Sequence, residues 1–375
     1  MAKAGQPLSP ESAMKLALQA AKKGVGFVSP NPPVGCVILD KNHKFLSSGY
    51  HQHYGGKHAE IIALNRIKQK ELLTGAFVYI TLEPCAHFGK TPPCVETLVQ
   101  YPLARVVYGM KDPNPKTNGA GIEKLRLKGI QAEPFSCFKK DIKRLYEVFS
   151  FNMRERRAWA ALKVAVTLDG IMALSDGSSQ WISSEVSRKY VSHLRGCHDG
   201  VLVGAGTFLQ DNPRLNSRHP PYQDKKNKVI IVDPKGVSLE HIKSSYMAQV
   251  RPLSHIIVIV ADSLKVSVNL PDFVLKKYPL DEEGRFNLRS ILSDLYREEG
   301  INSLLVEGGE AVFSSFLQQK EAQRLYQFVS PRFLGGNGGR GFTGSFRSQS
   351  IDHAPFLRDM DIVKLGPDFL ITGLL

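Results

Sequence analysis

The order of apolar and polar positions up to Phe135 predicts alternating helices and strands. Ser9 followed by Pro10 is typical of a helix start, and Gly24 is placed to end that helix. Two closely spaced apolar segments, VGCVILD and a strand ending at Gly49, predict a β-hairpin. A hairpin followed by such alternation is typical of a three-layer α/β domain. The predicted helices beyond the hairpin are at about 58–70, 92–100 and 121–128, and the strands at 77–82, 105–110 and up to Phe135.

The second half of the chain continues the alternation of helices and strands. Its first apolar stretch, WAALKVAVTL, predicts a strand that turns at Asp169 and Gly170. The chain has 375 residues, which is longer than one hydrophobic core usually supports. The segment 139–157 is helical in pattern and strongly basic, so we expect a first domain over 1–147 and a second over 148–375. The second domain's predicted helices are 183–197, 288–299 and 310–319, and its strands 200–205, 229–233, 255–261, 303–309 and 325–330.

Composition narrows the class of protein and raises a question about charge. Hydrophobic residues make up 42% and charged residues 22%, values that argue against a disordered or membrane protein. The net charge is +14, and residues 1–150 alone hold 21 basic and 11 acidic residues. This surplus indicates an anionic partner, either a nucleic acid or a phosphorylated metabolite or cofactor. Five cysteines, no secretory leader pattern and short apolar runs such as IIVIVA favour a soluble protein of the reducing cytoplasm.

A candidate metal centre lies in the first half. His58 and Glu60 are two residues apart at a helix start, so both can face one cleft, and Cys85 follows a strand and a proline. His58, Cys85 and Cys94 make three protein ligands for Zn²⁺ and leave the fourth tetrahedral position for water. Zinc lowers the pKa of that water to about 7, and a carboxylate that is not a ligand can move its proton. His-x-Glu with a downstream Pro-Cys therefore predicts a zinc deaminase with Glu60 as the proton carrier.

Two other interpretations of these residues stay open at this point. An isolated His-x-Glu is usually a solvated helix face. A structural zinc site would need a fourth protein ligand, which His51, His53 or His87 could supply. The usual Cys-x-x-Cys spacing is also absent, because the eight residues AHFGKTPP separate Cys85 from Cys94.

This departure is itself characteristic of one family. The segment EPCAHFGKTPPC resembles the deaminase domain of the bifunctional riboflavin-biosynthesis deaminase/reductase family, in which a long loop separates the two cysteines. The resemblance extends over almost the whole chain. Its further motifs are SPNPPVGCVI, GYH, HAE, DPNP, LKVAVTLDG, SQWISS, LRG, VGAGTFLQDNPRL and LLVEGG.

For the first domain, the resemblance implies a cytidine-deaminase-like fold, one Zn²⁺ per chain and a phosphoribosylaminopyrimidine substrate. The residues that it implies for substrate binding are Asn31, His51, His87, Lys90, Asp112 and Asn114. Asn31 and Asn114 also precede prolines, where asparagine is common in turns, and Lys90 could be a solvated cation.

For the second domain, the resemblance implies a dihydrofolate-reductase-like fold that binds NADPH. Lys163 on its first strand is a candidate catalytic residue that polarises the sugar or aids proton delivery, and a strand lysine whose ammonium group only reaches towards solvent stays open as an alternative. Arg195 and Arg218 are plausible phosphate clamps, because a guanidinium matches a phosphate bidentately. The implied substrate residues are Ser179, Arg195, Leu215, Arg218 and Glu307, and the implied cofactor residues are Ala165, Trp181, Thr207, Asp211, Gly309, Glu310 and Ala311.

Three positions depart from the family pattern. Glu310 and Ala311 stand where a Pro-Thr pair is common, Pro234 replaces a usual Ser or Thr, and Asn212 replaces a common Asp. The alternative class is a nucleic-acid deaminase of the tRNA type with an accessory domain, and a zinc-stabilised nucleic-acid-binding module is a third. The resemblance instead predicts no nucleic-acid partner, no membrane association, and a homo-oligomer that is a dimer or a tetramer.

Overall fold

The computed structural model describes residues 2–89, 92–115, 118–177, 182–265, 272–335 and 339–375. Its contacts divide the chain into two compact units, Met1–Glu155 and Arg156–Leu375. The division expected near residue 148 falls at the start of a helix, Glu147–Glu155, which the contacts place in the first unit.

The first unit is built on a five-stranded sheet. Its strands are β1 (Gly35–Leu39), β2 (Phe45–Tyr50), β3 (Phe77–Ile80), β4 (Arg105–Tyr108) and β5 (Gln131–Pro134), in the order β2-β1-β3-β4-β5. β1 pairs antiparallel with β2 and β3, whereas β3, β4 and β5 run parallel. The helices are α1 (Pro10–Lys22), α2 (Ala59–Arg66), α3 (Cys94–Leu98), α4 (Ala120–Leu127), α5 (Lys139–Leu145) and α6 (Glu147–Glu155).

The sheet of the first unit has helices on both faces. Alternate residues of β1 enter different cores, since Cys36 and Ile38 pack with α2, α3 and α4, while Val37 and Leu39 pack with α1 and α5. The hairpin and the three layers therefore match the sequence prediction. α2 is shorter than expected, because it ends at Arg66 before a separate 3₁₀ turn at Lys70–Leu73.

The second unit contains a nine-stranded sheet in the order β11-β10-β9-β8-β12-β6-β13-β16-β15. The six pairings from β11 to β13 are parallel, and the C-terminal strands β16 and β15 add antiparallel pairings at one edge. These strands are β6 (Trp159–Thr167), β8 (Gly200–Gly204), β9 (Lys228–Val232), β10 (Ile256–Ala261), β11 (Val274–Tyr278), β12 (Ser303–Val306), β13 (Arg324–Ser330), β15 (Arg358–Leu365) and β16 (Asp368–Leu374). A separate ribbon pairs β7 (Ile171–Ala173) with β14 (Arg340–Gly341).

Helices pack on the nine-stranded sheet and enclose two apolar clusters. The helices are α7 (Glu185–Cys197), α8 (Ala205–Asp211), α9 (Tyr246–Val250), α10 (Leu288–Arg297) and α11 (Glu310–Gln318). One cluster joins β6 and its neighbours to α10 and α11, and the other joins β8, β9 and β10 to α8 and α9. Neither α8 nor the β15–β16 hairpin was expected from the sequence.

Within the described ranges, no helix is both long and apolar enough to cross a bilayer.

Candidate active sites

The first residues of α2 carry His58 and Glu60. His58 is the N-cap residue and Glu60 lies in the first turn, where its side chain is 3% exposed. α2 lies directly against β2 at Gly49, because a Cβ at that glycine would be 2.3 Å from the carbonyl oxygen of Ala59. The close packing of this helix on the sheet fixes the positions of both functional side chains.

Two cysteines converge on His58. Cys85 follows β3 by a few residues, and Cys94 is the first residue of α3. His58 Nδ1 lies 3.1 Å from Cys94 Sγ and 3.4 Å from Cys85 Sγ, and all three ligand atoms lie within 4.8 Å of one another. Ligand atoms of a tetrahedral zinc with bonds of 2.0–2.3 Å are separated by about 3.5 Å, so this donor set fits zinc.

The electrostatics of the cluster also suit a metal. The hydrogen bonds that Cys85 makes with Cys94 and with His58 lower the pKa of the Cys85 thiol to about 4. The backbone N–H of Cys94 donates to Cys85 Sγ at 3.2 Å, which stabilises a thiolate. A thiolate is the form of cysteine that binds metal ions.

Among the described residues, no further histidine, cysteine or carboxylate joins these three donors in a metal-binding group. His51 is occupied elsewhere, since Nδ1 contacts the Lys57 carbonyl oxygen at 3.1 Å and Nε2 contacts Asn31 Nδ2 at 3.2 Å. His53 is exposed and its Nδ1 contacts the carbonyl oxygen of Tyr54. A closed four-ligand structural site is therefore not supported by the arrangement of the described residues.

Glu60 is the buried carboxylate beside the three donors. Burial, followed by the negative charge of Cys85, raises its pKa to about 7. Such a carboxyl group exchanges protons near neutral pH, which is the property that a general acid–base residue needs.

The other expected substrate residues of the first unit differ in their burial and in their contacts. Asn31 and His51 form one hydrogen-bonded pair, and the rings of His51 and His58 lie 5.2 Å apart. Asp112 is buried and accepts the backbone N–H of Asn114 at 2.9 Å, and its pKa is raised by burial. His87 is half-buried and lies close enough to Asp112 to oppose part of the rise in the Asp112 pKa. Lys90 lies outside the described residues.

Glu83 is an organising residue that the sequence analysis did not identify. Its buried carboxylate accepts backbone N–H groups from Asp112, Gly119 and Gly121 at 3.0–3.2 Å. It thereby ties the segment after β4 and the start of α4 to the strand end that leads into Cys85. The signal in the sequence was weak, because a lone Glu between Leu82 and Pro84 has no partner nearby in the chain.

The second unit holds a pocket of about 860 Å³ at one end of the parallel strands. Ala165 lies on β6, Thr207 and Asp211 on α8, Leu215 and Arg218 in the loop after it, and α11 begins at the pocket. Ser179 and Trp181 lie outside the described residues. The expected site residues that line the pocket are Lys163, Ala165, Arg195, Thr207, Asp211, Leu215, Arg218, Glu307, Gly309, Glu310 and Ala311, and the sequence analysis missed Arg188, Arg214 and Arg340.

A buried ion-pair triad lies in this pocket. Arg195 holds Glu307 bidentately, with Nε–Oε1 at 2.6 Å and Nη2–Oε2 at 2.9 Å, and Lys163 Nζ lies 3.4 Å from Glu307 Oε2. The two cations lower the pKa of Glu307 to about 2 against the opposing effect of burial, whereas burial lowers the pKa of Lys163. The guanidinium of Arg195, expected to clamp phosphate, is in this structure engaged by Glu307 on two of its nitrogens.

The start of α11 has the features of a phosphate site. Its N-cap, Gly309, has no capping side chain among the described residues, so backbone N–H groups of the first turn remain for an anion. A Cβ at Gly309 would lie 3.4 Å from Thr207 Oγ1, which places α8 beside this turn. Glu310 stands in the same turn, packed against Gly344, while Pro234 is not among the lining residues. The free N–H groups of this turn fit a phosphate group, whereas the carboxylate of Glu310 in the same turn does not add to that fit.

The first unit has the metal donors and the buried acid–base carboxylate of a deaminase. The second unit has an α/β pocket with a helix start suited to phosphate, as in a reductase. The chain therefore joins a deaminase-type unit to a reductase-type unit. The models of two protein families match parts of this chain. "Cytidine and deoxycytidylate deaminase zinc-binding region" covers residues 8–110, and "RibD C-terminal domain" covers residues 158–371.

Individual relatives agree over nearly the full length. The riboflavin biosynthesis protein RibD of Aquifex aeolicus is 36% identical over 96% of both chains, and that of Escherichia coli is 31% identical over 95% of this chain and 96% of its own. The crystal structure of a diaminohydroxyphosphoribosylaminopyrimidine deaminase/5-amino-6-(5-phosphoribosylamino)uracil reductase from Thermotoga maritima superimposes with a TM-score of 0.83 at 35% identity, covering 96% of this chain and 97% of that one.

The chain therefore belongs to the RibD family of bifunctional riboflavin biosynthesis enzymes, with a zinc-deaminase domain followed by a reductase domain. The predicted fold class, a cytidine-deaminase-like α/β/α domain followed by an α/β reductase domain, is confirmed.

Proposed function

We propose that the first domain hydrolyses an amino group from 2,5-diamino-6-(5-phosphoribosylamino)pyrimidin-4-one, and that the second reduces the ribosyl group of the product to ribityl with NADPH. The observation that carries this proposal is the convergence of His58, Cys85 and Cys94 beside the buried Glu60. The Thermotoga maritima relative is named for both of these activities.

In the first domain, one Zn²⁺ per chain would be held by His58 Nδ1 and by the sulfurs of Cys85 and Cys94. Bound zinc supplies a Lewis acid that makes water acidic near neutral pH. Glu60 takes the proton of the attacking water and gives it to the ring nitrogen. It then takes the remaining proton of the hydroxyl group added to the ring carbon and gives it to the departing amine, so that water and substrate become a carbonyl product and ammonia.

The residues around Glu60 would orient the substrate. His51 with its Nδ1 proton on the Lys57 carbonyl oxygen leaves Nε2 to accept from Asn31, which directs the Asn31 carbonyl oxygen to another donor. In this proposal the polar edge of the pyrimidine is bound by Asn31, His51, Asp112 and Asn114. We assign to His87 and Lys90, on the loop between the cysteines, the phosphoribosyl group.

In the second domain, bound NADPH supplies the hydride that reduces C1′ of the opened ribosyl group. Lys163 is held by Glu307, and its lowered pKa favours donation of a proton to the ring oxygen that becomes a hydroxyl. The uncapped start of α11, with Thr207 and Gly309, would bind cofactor phosphates, and Ala165, Trp181, Asp211 and Ala311 its other parts. Ser179, Leu215 and Arg218 would contact the substrate.

We further propose that the enzyme works as a homo-oligomer in the cytoplasm. The five cysteines are all free, with Cys137 exposed, a pattern expected of a reducing compartment.

Substitution of Glu60 by glutamine tests the deaminase mechanism. E60Q removes the proton carrier but no metal ligand, so ammonia release should fall about 10³-fold. Zinc content per chain, measured by elemental analysis, should stay at the wild-type value, and reduction of the deaminated substrate should continue. Ammonia release by E60Q at the wild-type rate would contradict the role of Glu60.

A further inference from the structure

The second unit contains a buried arginine that neither proposed reaction uses. Arg251 follows α9 and is 5% exposed, and its Nη2 donates to the carbonyl oxygen of Arg214. Its Nε and Nη1 are buried and have no hydrogen-bond partner among the described residues. Burial, and then the positive charge of Arg195, lower its pKa to about 10. A buried guanidinium without a carboxylate is costly, so its retention calls for a reason.

The carbonyl that Arg251 holds belongs to the segment 212–218, which we call the arginine loop. This loop supplies Arg214, Leu215 and Arg218 to the wall of the reductase pocket. Two of its residues have left-handed backbone conformations, Asn212 at φ 39° and Leu215 at φ 50°. Leucine rarely adopts this conformation, so the surroundings must impose it at a residue that faces the substrate site.

Several contacts from neighbouring elements impose the shape of the arginine loop. Asn212 Oδ1 accepts the Tyr246 N–H at 3.0 Å, at the start of the short helix that precedes Arg251. On the other side, Ser192 Oγ accepts the Arg218 N–H at 2.6 Å, and the Arg214 side chain lies over the Tyr246 ring at 5.4 Å. The loop is therefore clamped from both ends, and Arg251 holds its middle.

Positive charge exceeds negative charge around the loop, even with Asp211, which stands next to the loop and also lines the pocket. Arg195 is matched by Glu307, but Arg214, Arg218 and the buried Arg251 have no carboxylate within ion-pair distance among the described residues. A dianionic group would offset most of the charge of these three cations, and the proposed substrate carries one as a phosphate monoester.

We propose that Arg251 is a positioning residue, which fixes the arginine loop from behind and adds positive charge there, so that the loop recognises the phosphate of the reductase substrate. This inference rests on the proposed reductase function. It assigns a specificity role to a side chain that does not itself line the pocket.

The test compares KM for the phosphorylated substrate with KM for the same compound lacking the phosphate. R251M removes the charge and the hydrogen bond while keeping an unbranched side chain. It should raise KM for the phosphorylated substrate about tenfold and leave KM for the dephosphorylated compound and for NADPH within about twofold. R251K keeps the charge but loses the planar guanidinium, so KM for the phosphorylated substrate should rise about threefold.

The controls separate this role from a general loss of structure. Deaminase activity in the same preparation should be unchanged, and R297M, on the exposed side of α10, should match the wild type. An unchanged KM for the phosphorylated substrate in R251M would overturn the proposal. So would an equal rise for both compounds, or a fall in kcat alone.

If R251M does not fold, R251K decides by the same two KM values, and equality with the wild type then counts against Arg251. Failure of the proposed function has a different signature. In that case the wild-type protein itself would not oxidise NADPH with either compound.

Discussion

Two buried glutamates in the two units have opposite electrostatic surroundings. Among the described residues, no lysine or arginine is paired with Glu60, and burial raises its pKa to about 7. The side chain of Glu307 is 6% exposed, but Arg195 and Lys163 lower its pKa to about 2 against the effect of burial. Glu60 can therefore carry a proton in each turnover, whereas Glu307 stays ionised and holds Lys163 in place.

Asn212 explains one departure from the family pattern at the level of a single residue. Asparagine tolerates the left-handed region better than most residues, and here its side chain also accepts the Tyr246 N–H. The replacement is therefore compatible with the arginine loop.

Buried His198 makes the stability of the second unit depend on pH. It is 4% exposed, its Nδ1 donates to the Leu194 carbonyl oxygen, and burial lowers its pKa to about 4. Between pH 6.5 and 4 the unfolded chain binds a proton that the folded unit does not, so stability falls as pH falls through this window. The expected loss is about 3 kcal/mol.

Urea unfolding of the wild type and of H198N measures this loss. Both tryptophans, Trp159 and Trp181, belong to the second unit, so their fluorescence reports its unfolding. H198N keeps a donor for the Leu194 carbonyl oxygen and should lose the pH dependence attributed to His198. The difference in free energy of unfolding between the wild type and H198N, which is the gap measured here, should therefore become smaller as the pH is lowered. The exposed His241, changed to asparagine, is the matched control. A gap that stays constant from pH 7 to 4 would exclude His198 as the cause.

At the scale of elements, the packing of α2 on β2 determines the position of the metal centre. A Cβ at Gly49 would lie 2.3 Å from the Ala59 oxygen and 2.6 Å from the Ala63 nitrogen, both backbone atoms. G49A should displace α2 and with it His58 and Glu60. Zinc affinity should fall about tenfold, the effect typical of disturbed support around a metal site.

Competition with a chromophoric chelator measures that affinity. G341A is the control, because an added Cβ at Gly341 meets no atom within 4 Å. If G49A bound zinc as tightly as G341A, the helix could adapt and the packing argument would be wrong.

The sequence predicts the elements with strong local signals and misses those without them. The buried strands β6, β8 and β10 were predicted from continuous apolar runs, and α1 from its Ser9–Pro10 start. α8 was missed because Gly206 in its first turn argues against a helix. β15 was missed because it is an edge strand exposed on both faces and shows no alternation.

The residues of the candidate sites also fall into two groups, those that the sequence predicts and those that it does not. The donors of the metal centre and Glu60 could be proposed from motif spacing, since each ligand type has a required chemistry. The contact of Arg251 with Arg214 joins positions far apart in the chain, and the N–H groups that Glu83 accepts come from a loop and from the start of α4. Such contacts exist only after folding, and no local sequence pattern predicts them.

At the scale of the whole molecule, each site lies within one unit. The metal donors and Glu60 belong to Met1–Glu155, and every residue that lines the reductase pocket belongs to Arg156–Leu375. Each activity can therefore be removed by a substitution that leaves the other unit untouched. This makes the claim of two consecutive reactions in one chain directly testable.

The most direct measurement follows ammonia and NADPH together, in one preparation of zinc-loaded protein given the diaminopyrimidine substrate. We predict that ammonia appears first and that one NADPH is then oxidised for each ammonia released. E60Q should release almost no ammonia from this substrate and should therefore oxidise almost no NADPH. It should still oxidise NADPH when it is supplied with the deaminated product. Ammonia release without NADPH oxidation, or NADPH oxidation by E60Q on the original substrate, would contradict the account.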